Sequence, residues 1–168
     1  MASPSPIELY IVRHAIAAQR GDAWPDDTKR PLTPRGIERF RDAVQGLRAL
    51  DITLDVVLTS PLTRAKQTAE LLASGLSPHP PVEVIESLAP GGSYSSILED
   101  LAKHGRRTRI ACVGHEPDLG HLAARLVGAR RPIPFKKGGV CRIDLEAPSG
   151  PGTLCWLATP RLLRRAGR

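Results

Sequence analysis

Aromatic residues are scarce in this chain: two each of Phe, Tyr and Trp among 168 residues. Proteins that grip single-stranded nucleic acid usually rely on rows of aromatic stacking platforms. Nucleic acid is therefore not the expected partner, despite a net charge of +7. Cysteine is sparse as well. Cys112, Cys141 and Cys155 form an odd set with no close pair, which argues against a disulfide framework or a zinc knuckle. Each sits in a short apolar run and reads as a reduced thiol buried in a strand. No run approaches the ~20 apolar residues of a membrane span. The first residues, Met-Ala-Ser-Pro-Ser-Pro, have neither a basic head nor an apolar core. No secretory signal and a cytoplasmic location away from membranes are the expectation. A P-loop pattern, a cluster with metal-ligand spacing and a Ser-His-Asp motif are all missing, so no nucleotide, metal or other cofactor is implied.

What remains is an ordinary globular composition, 41% apolar and 24% charged. At this length it suffices for one domain with its own core. There is no linker, internal repeat or second composition regime, so residues 1–168 read as one domain with flexible ends over 1–6 and 161–168. The basic balance, 24 Lys+Arg against 17 Asp+Glu, points to acidic partners such as phosphates or acidic proteins.

Strand and helix signals alternate along the chain. Glu8 to Val12 reads as a first strand, followed by an aperiodic stretch over 15–32 broken by Gly21, Pro25 and Pro31. A loop that long inside a compact domain is usually functional. Thr33-Pro34 opens a helix whose face is Ile37, Phe40, Val44 and Leu47. Val56 to Thr59 is a second strand with a helix behind Ser60-Pro61 running to about Ala73. Val82 to Ile85 and Arg109 to Val113 are two more strands, each with an amphipathic helix after it. Gly139 to Leu145 and Thr153 to Ala158 close the chain as a hairpin. The expected fold is α/β, a single three-layer domain. It has a mostly parallel central sheet, helices on both faces and an antiparallel C-terminal hairpin.

Sites in open α/β sheets gather beyond the carboxyl ends of strands. The first strand is followed by Arg13-His14, the second by Ser60-Pro61-Leu62-Thr63-Arg64, the fourth by Gly114-His115-Glu116. Two histidines and two arginines thus converge on one sheet edge, a pocket for a dianionic group. Arginine presents a planar fork matched to phosphoryl oxygens. The helix N-terminus beside Arg64 adds unpaired N–H groups. A neutral histidine can attack phosphorus and hold the phosphoryl group covalently, while a second, protonated one steadies the oxygens.

The wording of these segments resembles the histidine phosphatase superfamily. Ile11-Val12-Arg13-His14-Ala15 is similar to its Arg-His-Gly signature, with Ala15 in place of the glycine. Thr59 to Ala69 resembles its second motif and Val113-Gly114-His115-Glu116-Pro117 its third. Arg30 to Gly36, Leu88 to Gly92 and Gly152 to Trp156 are most similar to the SixA-type phosphohistidine phosphatase branch. The likeness runs from about Glu8 to Pro160.

That resemblance implies a phosphoglycerate mutase-like fold and a metal-independent hydrolase. His14 would be the nucleophile that becomes phosphohistidine, and Arg13, Arg64 and His115 would form the phosphate pocket. Many members carry an acid that protonates the leaving group. Glu86, after the third strand, is the candidate here, with Asp22, Asp26 and Asp27 of the long loop as alternatives, although the SixA-type branch does not carry that acid clearly. Lys136-Lys137 stands where it could rim the pocket. His79, His104 and His121 match no motif and read as surface or structural. The expected substrate is phosphohistidine on a signalling protein of the histidine-phosphotransfer type. The alternatives are a small phosphate ester, or a non-catalytic phosphoprotein-binding module.

Overall fold

Alternate residues of the first strand face opposite sides of the sheet, because side chains on a strand alternate. In the computed structural model, which describes residues 6–168, β1 (Ile7–Arg13) sends Tyr10 and Val12 to one core and Leu9 and Ile11 to the other. The remaining strands are β2 (Val56–Thr59), β3 (Val82–Val84), β4 (Arg109–Gly114), β5 (Val140–Leu145) and β6 (Gly152–Ala158). Together they form one sheet in the order β3-β2-β4-β1-β5-β6. The first four of that order run parallel, and β5 and β6 are antiparallel. Helices α1 (Pro34–Ala49), α2 (Thr63–Gly75) and α5 (Pro160–Ala166) cover one face, while α3 (Tyr94–Lys103) and α4 (Asp118–Val127) cover the other. The expected α/β architecture with a closing antiparallel hairpin is the observed one.

Phe40 and Leu47 of α1 and Leu72 of α2 are fully buried on the first face, and Leu101 of α3 and Leu119 of α4 on the second. Each such side chain contributes about 1.5–3 kcal/mol relative to exposure. Thr33 caps α1 as its sequence suggests, its hydroxyl accepting from Gly36 N–H at 2.9 Å. Ser93 does the same for α3, accepting from Ser96 N–H at 3.2 Å.

Two expectations need correction. The tail from 161 onward is not loose: it belongs to α5, which lies against α1 with Leu163 buried. Gly46 makes this approach possible, since a Cβ there would come within 1.8 Å of the Leu163 carbonyl oxygen. Cys155 is exposed, unlike the buried Cys112 and Cys141, because β6 is an edge strand with one side open. The helix after β2 runs from Thr63 to Gly75, in keeping with its expected extent. The expected loose segment at 1–6 falls, for 1–5, outside the described residues.

Candidate active site

Strand register assembles the site. In the parallel ladder, Arg13 at the end of β1 pairs with Gly114 at the end of β4, and Thr59 at the end of β2 pairs with Val113. The next residues, His14, Ser60 and His115, therefore leave the sheet side by side. His14 N–H still donates to Gly114 O at 3.0 Å and Ser60 N–H to Val113 O at 3.0 Å, which holds these exits to the sheet. The two imidazoles end up with ring centres 5.2 Å apart.

His14 is buried, and its Nδ1 lies 2.7 Å from the Ala15 carbonyl oxygen. A carbonyl only accepts, so Nδ1 carries the proton, and Nε2 keeps a free lone pair. Among the described residues Nε2 has no hydrogen-bond partner, and His14 lines the cleft. Burial, followed by Arg64, Arg13 and Lys137, pushes the imidazole down to about 4, so it is neutral at pH 7. The alanine at 15 fits without strain: it is buried, and its N–H donates to Thr68 Oγ at 3.0 Å. Thr68 in turn donates to Arg64 O at 2.7 Å, tying the segment that bears His14 to α2.

His115 shares a 2.8 Å hydrogen bond through Nε2 with Ser60 Oγ. Burial, followed by His14 and Arg64, pushes it down to about 3. The protonated second histidine expected from sequence is thus neutral here, because burial, the neighbouring ring, Arg64 and Arg30 together outweigh the opposing pull of Asp27.

The cleft measures about 390 Å³ and its wall includes Arg13, Arg20, Arg30, Arg64 and Lys137. Arg64 lies in the first turn of α2, whose N-cap residue Leu62 offers no side-chain cap. Arg13 Nη1 donates to Phe135 O at 2.7 Å, fixing its guanidinium. Lys137 reaches the rim because its turn folds back on β1, with Gly138 N–H donating to His14 O at 3.0 Å. Lys136 is not in the wall.

The long loop over 15–32 closes over this edge. Its base is held by a bridge between Ala17 and Leu32 and by Leu32 N–H donating to Gln67 Oε1 at 2.7 Å. Inside it, Asp27 accepts from Arg30 Nε at 2.9 Å and Arg64 Nη2 at 3.1 Å. Burial alone would raise that carboxyl, but Arg30, Arg64 and Arg20 outweigh it and hold it below the usual range. Arg30 also donates to Ala18 O at 2.7 Å and is almost fully buried.

The four residues singled out from the motifs, Arg13, His14, Arg64 and His115, all line one cleft. Glu86 does not. It is exposed, at the start of a 3-10 turn after β3, and takes no part in the wall. The carboxyl that does line the cleft is Glu116, next to His115. Sequence reading also missed Ser60, Thr68, Arg30 and the bracing role of Asp27. All four stand inside the motifs quoted or in the loop between them, so proximity to a motif was the available signal. His104 bridges Glu83 Oε2 and Asp100 O, each at 2.8 Å, a structural role far from the cleft. Among the described residues, the buried side-chain atoms without a partner are Arg13 Nε, Arg64 Nε, His115 Nδ1 and Glu116 Oε1. Unmet polar demand of this kind is uncommon in folded proteins, and here it is confined to residues of this one cleft.

Comparisons with known proteins bear on the family and the fold. The model of the histidine phosphatase superfamily (branch 1) matches residues 9–89. The chain is 40% identical over 139 residues to an uncharacterised protein of Picosynechococcus sp., covering 80% of this chain and 82% of that one. It is 31% identical over 163 residues to the phosphohistidine phosphatase SixA of Escherichia coli, covering 95% of this chain and 98% of that one. A solved structure of the protein histidine phosphatase SixA complexed with tungstate superposes with a TM-score of 0.83 at 28% identity, over 92% of this chain and 98% of that one.

Proposed function

The chain belongs to the histidine phosphatase superfamily and is a phosphatase, and from that premise we propose that it removes phosphate from phosphohistidine on a protein, by way of a phosphohistidine at His14. The observation that carries the mechanism is the tautomer of His14. With Nδ1–H committed to the Ala15 carbonyl, Nε2 is the one basic atom of the ring, and it stands free in a cleft walled by five cations. A neutral, oriented imidazole in such a place is a nucleophile for phosphorus.

In the first step the Nε2 lone pair attacks phosphorus and the P–N bond of the substrate breaks. The substrate imidazole leaves as a neutral ring if its other nitrogen already bears a proton. In the second step water attacks the phosphoryl group on His14, the Nε2–P bond breaks, and inorganic phosphate departs with the water's proton. Arg13, Arg64 and His115 hold the equatorial oxygens. An arriving dianion adds negative charge beside the two rings, so His115 takes up a proton as the phosphoryl group binds. Positioning and fixed charge supply most of the rate in phosphoryl transfer.

The protein substrate is favoured by the basic mouth, with Arg20 and Lys137 on its wall, and by the likeness, nearly end to end, to the phosphohistidine phosphatase SixA of Escherichia coli. The test is turnover of a histidine-phosphotransfer protein carrying labelled phosphohistidine. Release of labelled inorganic phosphate, with label trapped on His14 after acid-free quenching, is expected. Absence of turnover, or label on another residue, would overturn the reading.

A further inference from the structure

Beside the cleft lies a second recess, of about 50 Å³, lined by Arg39 of α1, Arg164 of α5 and Lys137 of the turn before β5, with no carboxyl among the described residues of its wall. The segment from His14 to Ala17 separates the two spaces: His14 and Ala17 line the cleft, whereas Ala15 and Ile16 line the recess. Lys137 stands in both walls. We propose that this recess is an anion subsite that takes the carboxylate of an Asp or Glu side chain flanking the phosphohistidine of the protein substrate. This rests on the reading of the chain as a phosphatase of phosphohistidine on a protein.

Three elements bring these cations together. On α1, Gly36 and Arg39 are three positions apart, and on α5 Pro160 and Arg164 are four apart, so each pair shares a helix face. All four line the recess. A Cβ at position 36 would come within 2.1 Å of the Ile16 carbonyl oxygen, so the separating segment lies directly on α1, where Thr33 N–H donates to Ile16 O at 3.0 Å. Gly138 has φ +77°, the left-handed geometry that favours glycine, and its turn presents Lys137 between the two spaces.

Charge and size identify the occupant. Arg39 and Arg164 are half-buried, and neither they nor Lys137 make an ion pair among the described residues. Glu38 and Asp42, the acids nearest Arg39 in sequence, are exposed and stand outside the wall. Charges withdrawn from water are normally paired, so three cations around one small space call for an anion from outside the chain. The arginine fork suits a carboxylate. At about 10–15 Å³ for each water-sized group, the recess has room for about four such groups. That is the end of an Asp or Glu side chain, not a sugar or a ring. Because the separating segment is one chain thick, an extended substrate can reach both spaces with side chains about three residues, or about 10 Å, apart. The rival account is that these cations only add to the general basic surface of a chain of net charge +7.

Two synthetic peptides separate these accounts. Each carries one phosphohistidine, flanked on both sides by glutamates in the first peptide and by glutamines in the second. Wild-type protein should favour the acidic peptide at least about tenfold in kcat/KM, chiefly through KM. In Arg39→Gln with Arg164→Gln the preference should fall to within about twofold, with kcat/KM on the glutamine peptide held within about threefold. Arg130→Gln with Arg131→Gln removes the same charge from exposed positions outside both walls and should keep the preference. A preference that survives in the first variant, or is lost equally in the second, would overturn the subsite. Should the first variant fail to fold, its two single exchanges decide: each should cut the preference at least about threefold, and no change in either overturns the subsite. Failure of wild-type protein to hydrolyse either peptide removes the parent reading; hydrolysis of both without discrimination removes this one alone.

Discussion

Arg64 gives both terminal nitrogens to Asp27: Nη1 donates to its main-chain oxygen at 2.9 Å and Nη2 to its carboxylate at 3.1 Å. The partners are 37 positions apart in sequence, so this pair fastens the long loop to the first turn of α2. It also fixes the plane of a guanidinium that is nearly fully buried, leaving its Nε edge without a protein partner.

Arg64→Lys is therefore expected to be far from conservative. Lysine keeps the charge but cannot serve Asp27 and a phosphoryl oxygen in one plane. The expected loss in kcat/KM is about 100-fold, or about 3 kcal/mol of transition-state binding. Asp27→Ala should lose about tenfold by the same route, since Arg64 retains only the main-chain acceptor. Steady-state kinetics on 4-nitrophenyl phosphate check both, and near wild-type values would place Arg64 outside the reaction.

His14→Ala should remove turnover by several orders of magnitude, as loss of a nucleophile does, while changing the melting temperature little. The side chain sits just beyond a strand end and belongs to neither core cluster. Activity within about tenfold of wild type would exclude His14 as the nucleophile.

Much of this was legible in the sequence because the relevant physics is local. A β-rich run that ends in Arg13-His14 announces both the strand and the edge where the site forms, and Thr33-Pro34 announces the cap of α1. What was not legible depends on contacts distant in the chain. Whether Glu86 or Glu116 faces the cleft is decided by how β3 and β4 end, since β3 is a short edge strand whose last residues turn outward. The protonation of His115 depends on burial and on Arg64 and His14, none of which adjoins it in sequence. The docking of α5 depends on a missing Cβ at Gly46, 117 positions before Leu163.

That docking predicts a separable stability effect. Leu163→Ala removes a fully buried side chain from the α1–α5 contact and should cost about 2–4 kcal/mol in unfolding free energy. Leu163 takes no part in the cleft wall, so kcat on 4-nitrophenyl phosphate at 25 °C should stay within about twofold. An unchanged denaturation midpoint would mean that the tail does not pack as described.

The two lowered imidazoles set a pH dependence with a definite sign. Their folded values, about 4 and about 3, lie below the 6.5 of the unfolded chain. The unfolded chain thus binds more protons between about pH 3 and 6.5, and stability rises with pH through that window. Each group contributes a slope of up to about 1.4 kcal/mol per pH unit. The contribution is complete above pH 6.5 and fades as pH falls toward 4. His14→Asn should flatten the curve there. Conversely, binding of tungstate or vanadate, with either anion a strong inhibitor, should draw protons from solution at pH 6–7, as calorimetry in buffers of different ionisation enthalpy would register. Anion binding without proton uptake would leave His115 neutral in the complex. Chelators should leave turnover unchanged, since arginine and imidazole already carry the charge chemistry proposed here.

Arg20 and Lys137 bear on the substrate rather than on the chemistry. Arg20 is highly exposed, its one ion pair being a 3.4 Å contact with Asp27, and Lys137 is an exposed side chain on the cleft wall. Charges so placed attract an acidic partner before contact and are screened by salt over about 8–10 Å. If the substrate is a phosphorylated protein with an acidic surface, Arg20→Glu with Lys137→Glu should lower kcat/KM on it at least about tenfold, chiefly through KM. The loss should shrink as ionic strength rises. On 4-nitrophenyl phosphate, which has no acidic surface to be steered, the same variant should lose clearly less than on the protein, and its loss should not shrink with ionic strength in the same way. Equal effects on both substrates, at all salt concentrations, would indicate that the rim acts on the phosphoryl group itself, and a small phosphate ester would then be the better substrate.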